Sequence, residues 1–313
     1  MLTEQRYAAC RNGTQSGFFP GGQYTYEKVF DIDDATIGKS VQLLFEGVYR
    51  NPTVLINRQQ AAFHAYGFTE FVVDISNFVQ VGENTVTVQV DNTLVPNCRW
   101  YSGSGIYRPV SLLIRENQHI SNVTVKTISY APAIVEISAV ATENVPLGIE
   151  IYDGDNLIAS GGTGKFEIRN AKLWSAETPH LYFCRVFCDT DSQTFTFGIR
   201  KIEWSGKTGL VINGKPTLLR GGCIHNDNGV LGACSFADAE YRRVRILKEQ
   251  GFNALRIGHS PASKAILDAC DELGMYVVDE CFDGWYIPKD YHDYSRQFFD
   301  HFKDDLTAMV KKD

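Results

Sequence analysis

The sequence predicts a multidomain protein of β plus α/β type: two consecutive β-sandwiches, then a parallel strand–helix unit. Short runs of β-branched and aromatic residues, broken by turn residues, fill positions 1–203. From about residue 204 the texture changes to apolar strands alternating with helical periodicity. A chain of 313 residues is also long for one compact domain, so about two or three units are expected.

The first unit, residues 1–116, carries "QYTYEKVFDI", "SVQLLFEGVY", "PTVLINRQ", "FTEFVVDIS" and "NTVTVQVDN", punctuated by "GG", "DD", "GK", "NP" and "GEN". Alternation places Val86, Val88 and Val90 on one face. Many short strands with frequent turns predict a sandwich or jelly roll. Residues 117–203 repeat the pattern in "NVTVKTIS", "AIVEISAVAT", "LGIEIYDG", "KFEIRNA", "LYFCRVFCD" and "QTFTFGIRKIEW". The length of this block suits an immunoglobulin-like sandwich of about seven strands. In residues 204–313, "KPTLLRGGCIH", "NALRIG" and "MYVVDE" read as strands. The helix in "SFADAEYRRVRILKEQGF" has Ser235 as its N-cap candidate, an apolar period through Val244, Ile246 and Leu247, and Gly251 as its stop. "SKAILDACDELG" and "SRQFFDHFKDDLTAMVKK" are further helices. Apolar strands of this kind suit burial on both faces of a parallel sheet. No solenoid repeat or low-complexity segment interrupts the chain.

Composition narrows the function. A net charge of −7 and the lack of a basic stripe argue against nucleic acid or an anionic membrane as partner. No apolar run approaches the roughly 20 residues needed to span a bilayer. The opening "MLTEQRYAACRNGTQSG" has no basic start and no apolar core, so no signal peptide is read in this chain. That fits a cytoplasmic protein or a piece of a longer, periplasmic one. Fifteen Tyr, nineteen Phe and four Trp suit β-sandwich cores and surfaces that stack on sugar rings. The eight cysteines, Cys10, Cys98, Cys184, Cys188, Cys223, Cys234, Cys270 and Cys281, form no CxxC pair and no zinc pattern. They are expected as reduced, buried thiols, with Cys184 and Cys188 toward one side of a strand and disulfides reserved for an exported parent.

In parallel α/β architectures, functional side chains gather at the carboxyl ends of strands. Here His225 ends the first such strand, Arg256 to His259 the second and Glu280 to Trp285 the third. Polar strand ends that merely face water are the alternative.

The particular residues resemble glycoside hydrolase family 2, the β-galactosidase and β-glucuronidase group. The matching stretches are "FEGVY", "FTEFVVDIS" and "RWYSGSGIYRPVSL", then "LWSAETPHLY" and "FGIRKIEW", then "INGKPTLLRGGCIHNDNGVLGA", "GFNALRIGHSP" and "DACDELGMYVVDE". The resemblance implies a jelly-roll sugar-binding domain (1–116), an immunoglobulin-like sandwich (117–203) and the first part of a (β/α)8 TIM barrel (204–313). A full barrel takes about 250 residues, so the barrel here is expected to be incomplete. Retaining glycosidases use a pair of carboxylates, one as acid/base and one as nucleophile. The resemblance puts both glutamates on later barrel strands, with the acid/base in an Asn-Glu pair beyond Asp313. The chain is accordingly expected to be the N-terminal portion of a retaining β-galactosidase, inactive alone. A β-glucuronidase or β-mannosidase portion, or a non-catalytic carbohydrate-binding module, is the alternative.

The same resemblance assigns substrate-binding roles. His225 and His259 match positions that contact the glycone or support the catalytic carboxylates, and Arg256 matches an arginine that orients pocket carboxylates. Asp227 and Asp283 would accept from sugar hydroxyls, Trp285 would offer an aromatic face, and Arg99 would reach over the barrel mouth. Glu280 corresponds to a supporting carboxylate. Trp174 reads as core or interface packing; His64, His119, His180, His292 and His301 have no motif support. Gly258 departs from relatives with serine or cysteine there, and "HNDN" from those with a second His or a Glu. The "NCRW" region lacks an aspartate that some relatives have, and "CFDGWYIPK" lacks a metal-binding pattern. No cofactor or metal is expected. The expected partner is a β-galactoside, with possible self-association through the incomplete barrel or partial disorder after about residue 285, because uncovered strands and apolar helix faces are sticky.

Overall fold

A computed structural model describes residues 21–99 and 102–313, so Cys10 falls outside the described residues. The first unit holds β1 (Gln23–Ile32), β2 (Ser40–Phe45), β3 (Val48–Tyr49), β4 (Thr53–Ile56), β5 (Gln59–Phe63), β6 (Phe71–Asp74), β7 (Gly82–Asp91), β8 (Gly105–Ile106) and β9 (Val110–Arg115). A sheet of order β1-β7-β4-β5 faces one of order β6-β2-β9, and β3 pairs with β8. Strict alternation in β2 sends Val41, Leu43 and Phe45 into the core between the sheets. Val86, Val88 and Val90 of β7 meet that core from the other side.

The second unit holds β10 (Ile120–Tyr130), β11 (Ala133–Ala141), β12 (Gly148–Asp153), β13 (Asn156–Gly161), β14 (Gly164–Glu167), β15 (Tyr182–Phe187) and β16 (Ser192–Phe197). Sheets of order β10-β11-β14 and β13-β12-β15-β16 enclose a core that includes Ile137, Ile149, Ile151, Tyr182 and Cys184. Sequence reading passes over β5 and β13. Both are edge strands with largely exposed side chains, so neither carries the buried stripe that alternation detects.

The third unit opens with an antiparallel sheet of β17 (Ile202–Ser205), β18 (Gly209–Ile212) and β19 (Lys215–Pro216). A parallel sheet follows, of order β20 (Gly221–Ile224), β21 (Ala254–Ile257) and β22 (Tyr276–Asp279). Helices α1 (Ala237–Glu249) and α2 (Lys264–Leu273) lie between its strands, and α3 (Phe298–Lys312) comes after them. The parallel register aligns Cys223, Arg256 and Val278.

Two expectations need correcting here. Ser235 does not cap α1. Phe236 holds that position, and the Ser235 hydroxyl donates instead to the buried Glu240 carboxylate at 2.9 Å. In α2, by contrast, Ser263 accepts from the Ile266 N–H and Gly274 ends the helix in the left-handed region. Nor are the parallel strands buried on both faces. Leu255 and Ile257 pack with Val244 and Ile266 of the helices. Cys223, Arg256 and Val278 face the other way and are exposed.

Seams join the units. Trp174 is fully buried, donates from Nε1 to the Asp271 carbonyl at 2.8 Å, meets Tyr276 edge-on and carries the Arg200 guanidinium on its ring. It therefore ties the second unit to the third. Tyr66 and Phe68 of the first unit cluster with Tyr294, Phe298 and Phe302. The buried Asp305 of α3 accepts from Thr69 Oγ1 at 2.7 Å and from the Tyr294 hydroxyl. His64, which no motif singles out, sits 3.0 Å from that threonine hydroxyl. These contacts pack Tyr294 and α3 against the first unit.

All seven described cysteines are free thiols; Cys184 and Cys188 share the second core, whereas Cys223 is exposed against expectation. Burial pushes the Cys184, Cys270 and Cys281 thiols up to about 12, which keeps them protonated at neutral pH. Iodoacetamide at pH 7.5 should modify Cys223 in the native protein and reach those three only after unfolding, as read by peptide mass spectrometry. Trp174→Ala should cost about 3–5 kcal/mol, measured as a fall in the urea midpoint.

Candidate functional site

Each parallel strand delivers a polar group at its carboxyl end or onto its open face. Arg256 lies on the open face of β21, and Glu280 follows the last residue of β22. Arg256 Nε donates to Glu280 Oε1 at 2.5 Å. His259 Nδ1 lies 2.8 Å from Glu280 Oε2, an acceptor only, so that nitrogen carries the proton. His225 turns its own Nδ1 to the Gly258 carbonyl, and its ring centroid lies 5.5 Å from that of His259. Burial alone would raise the Glu280 carboxyl pKa, but the His259 and Arg256 hydrogen bonds outweigh it and hold it below its ordinary value. Glu280 is therefore an ionised acceptor at neutral pH, not a proton donor.

The loop after β22 forms the next wall. Asp283 accepts from Arg99 Nε at 2.9 Å and pairs with Lys289 at 3.0 Å. Burial again pushes upward, and hydrogen bonds from Arg99 and Lys289 bring the Asp283 pKa down. Trp285 is 60% exposed, with its ring stacked 6.2 Å from Phe298. Together Arg99, Arg256, His259, Glu280, Asp283, Trp285 and Phe298 line a groove of about 700 Å³. One side offers charged hydrogen-bonding groups and the other aromatic faces. That combination fits a ligand with hydroxyls on one side and C–H groups on the other.

Of the residues singled out from sequence, Arg99, Arg256, His259, Asp283 and Trp285 line this groove, and His225 stands behind His259. Asp227 does not join them. Its carboxylate lies 3.8 Å from Arg243 and its carbonyl accepts from the same guanidinium, which turns the residue toward α1. Glu280, expected as a supporting carboxylate, bridges Arg256 and His259, and its place at the end of "YVVDE" is the available signal. Lys289 carried no signal, because its role comes from a loop fold. Gly258 sits in a tight place: a Cβ there would lie 3.0 Å from Cys223 Sγ and 3.4 Å from Glu280 Oε2.

Two sandwiches followed by parallel strands with a polar groove at their ends match, in order, three family descriptions. "Glycosyl hydrolases family 2, sugar binding domain" matches residues 16–116, "Glycosyl hydrolases family 2" residues 110–200, and "Glycosyl hydrolases family 2, TIM barrel domain" residues 205–295. The chain belongs to glycoside hydrolase family 2, and its parallel unit is part of a TIM barrel. It is 33% identical to the beta-galactosidase BoGH2A of Bacteroides ovatus over 332 residues, covering 96% of this chain and 39% of that protein. It is also 33% identical to a candidate beta-glucuronidase of Formosa agariphila, covering 96% of this chain and 31% of that one. A crystal structure of a glycosyl hydrolase family 2 member from Bacteroides cellulosilyticus superposes with a TM-score of 0.93 at 38% identity, covering 98% of this chain and 43% of that one. The chain thus spans about two fifths or less of the length of these relatives.

The Glu280 carboxylate provides a pH test. Its folded pKa lies below the model-peptide value of 4.5, so its pairing stabilises the fold above that value and is lost as pH falls through the folded pKa. A ¹³C titration of the Glu280 side-chain carboxyl should show a midpoint below 4.5, and Arg256→Gln should move it upward.

Proposed function

We propose that the chain is the glycone-binding half of a retaining β-galactosidase and that the 313 residues alone bind but do not hydrolyse. The observation that supports this most is the convergence of Arg256, His259, Glu280 and Asp283 with Trp285 on one groove at the ends of barrel strands. In this reading His259 accepts from a ring hydroxyl at the nitrogen not turned to Glu280, while Arg99 and Lys289 hold Asp283 ready as an acceptor. Trp285 takes the apolar C–H face of the sugar. His225 orients the wall behind His259. Double displacement needs a nucleophile and an acid/base about 5–5.5 Å apart across the scissile bond. We assign both to later barrel strands, as the family resemblance implies. Glu280, held ionised, supports neighbouring groups. No cofactor enters this scheme.

A β-galactoside is the first choice of substrate, because the named relative with 33% identity over 96% of the chain is a beta-galactosidase. A β-glucuronide is the second, on the equally similar relative from Formosa agariphila. The exposed Val278, Phe299, Leu306 and Val310 are surfaces for further barrel elements or, failing those, for a second copy of the chain.

The test is a titration of the purified chain with methyl β-galactoside and methyl β-glucuronide, watching the Trp285 indole N–H by NMR. The galactoside should shift it, and His259→Ala should weaken binding by about tenfold or more. A larger response to the glucuronide would reassign the substrate, and no response to either sugar would end the reading. Turnover of an aryl galactoside by the pure chain would refute its inactivity.

A further inference from the structure

We propose that Arg108, a residue of the first unit, is a positioning residue for the groove: its guanidinium fixes the two barrel loops that carry His225 and His259. Arg108 lies between β8 and β9, in "GIYRPV", and is 4% exposed. Its NH1 donates to the Phe68 carbonyl at 3.0 Å and the Glu46 carbonyl at 3.3 Å, both in its own unit. Its NH2 donates to Asn226 Oδ1 at 3.1 Å and the Pro261 carbonyl at 2.8 Å, both in the barrel unit. The fork therefore spends one nitrogen on each side of the seam.

The barrel-side partners are placed to transmit this. Asn226 sits between His225 and Asp227, and its Nδ2 donates onward to the fully buried Ser260 at 2.9 Å. Ser260 follows His259, and Pro261 follows Ser260. One cation thus holds the loop after β20 and the loop after β21 to each other as well as to the first unit. The His225 ring then meets the Gly258 carbonyl, closing the circuit beside His259.

None of these four acceptors is a carboxylate. The Glu46 and Glu70 carboxyls feel the Arg108 charge without being hydrogen-bonded to it, so they offset part of the cost of burying it but do not fix its direction. A planar fork is the side chain that reaches acceptors on two separate surfaces at once, whereas an ammonium presents its donors from a single point. The surroundings are shaped to admit it. The guanidinium lies 5.1 Å from the Tyr107 ring centroid, and a Cβ at Gly47 would come within 2.8 Å of Arg108 Cδ.

The functional meaning of this assignment rests on the groove being the glycan site; its geometric content does not, and the test is read without sugar. In the full isotope-labelled chain, Arg108→Lys should shift the ring ¹H–¹³C resonances of both His225 and His259. It should also accelerate amide exchange at Gly258 and Ala262 by about tenfold or more, the effect of losing a charge-assisted hydrogen bond. Amides of the second sandwich should keep their wild-type exchange. Asn226→Ala, which leaves the packing of the first unit intact, should move the same two histidines, and combining it with Arg108→Lys should add less than the sum of the two. If Arg108→Lys fails to fold, Asn226→Ala decides alone. Histidine resonances at their wild-type positions in a folded Asn226→Ala protein would overturn the proposal. So would full retention in Arg108→Lys, which would mean that charge alone suffices.

Discussion

The contact between the first sandwich and the strand ends of the barrel is the constraint on which the groove depends. Three parallel strands by themselves present a row of polar tips on an open sheet, with Cys223, Arg256 and Val278 exposed beside them. The first unit turns that row into a recess. It supplies Arg99 as the partner of Asp283, and it contributes Tyr66 and Phe68 to the aromatic cluster under the loop after β22. The Tyr66 hydroxyl also donates to the Cys281 carbonyl, so the backbone next to Glu280 is pinned from outside the barrel. A domain remote in sequence thus sets the shape of a site whose polar groups mostly belong to another.

Charge balance within the recess follows a consistent pattern. Each carboxylate has a cation and a further donor: Glu280 has Arg256 and His259, and Asp283 has Arg99 and Lys289. Both carboxylates are held ionised although burial opposes it. Three cations, Arg99, Arg256 and Lys289, meet two carboxylates, so the pocket presents fixed hydrogen-bonding directions with a small positive excess. Proton transfer needs a group whose pKa is poised near the working pH, and neither of these carboxylates is of that kind.

Much of this was legible in the sequence. Alternation in "TVTVQV" and "SVQLLF" located inner faces, and the switch to helical periodicity near residue 204 located the parallel unit. Polar groups after "NALRI" and "YVVD" pointed to the site because strand ends are where a parallel sheet exposes function. What could not be read were relations between distant segments. Asp227 looks like its neighbours in the motif, but Arg243 from α1 captures it. The exposed face of the parallel sheet contradicts its apolar composition, since Val277 and Val278 look alike in sequence and only the register separates them. Edge strands β5 and β13 lacked a buried stripe altogether.

The crowding around Gly258 has a consequence for how this surface can vary. The Cys223 sulfur occupies the room that a side chain at position 258 would need, and Glu280 leaves little slack on the remaining side. Serine or cysteine at 258 would make the Cys223 side chain give way by a few tenths of an ångström. The two sites thus share volume, so a larger side chain at either should favour a smaller one at the other, even though 35 positions separate them along the chain.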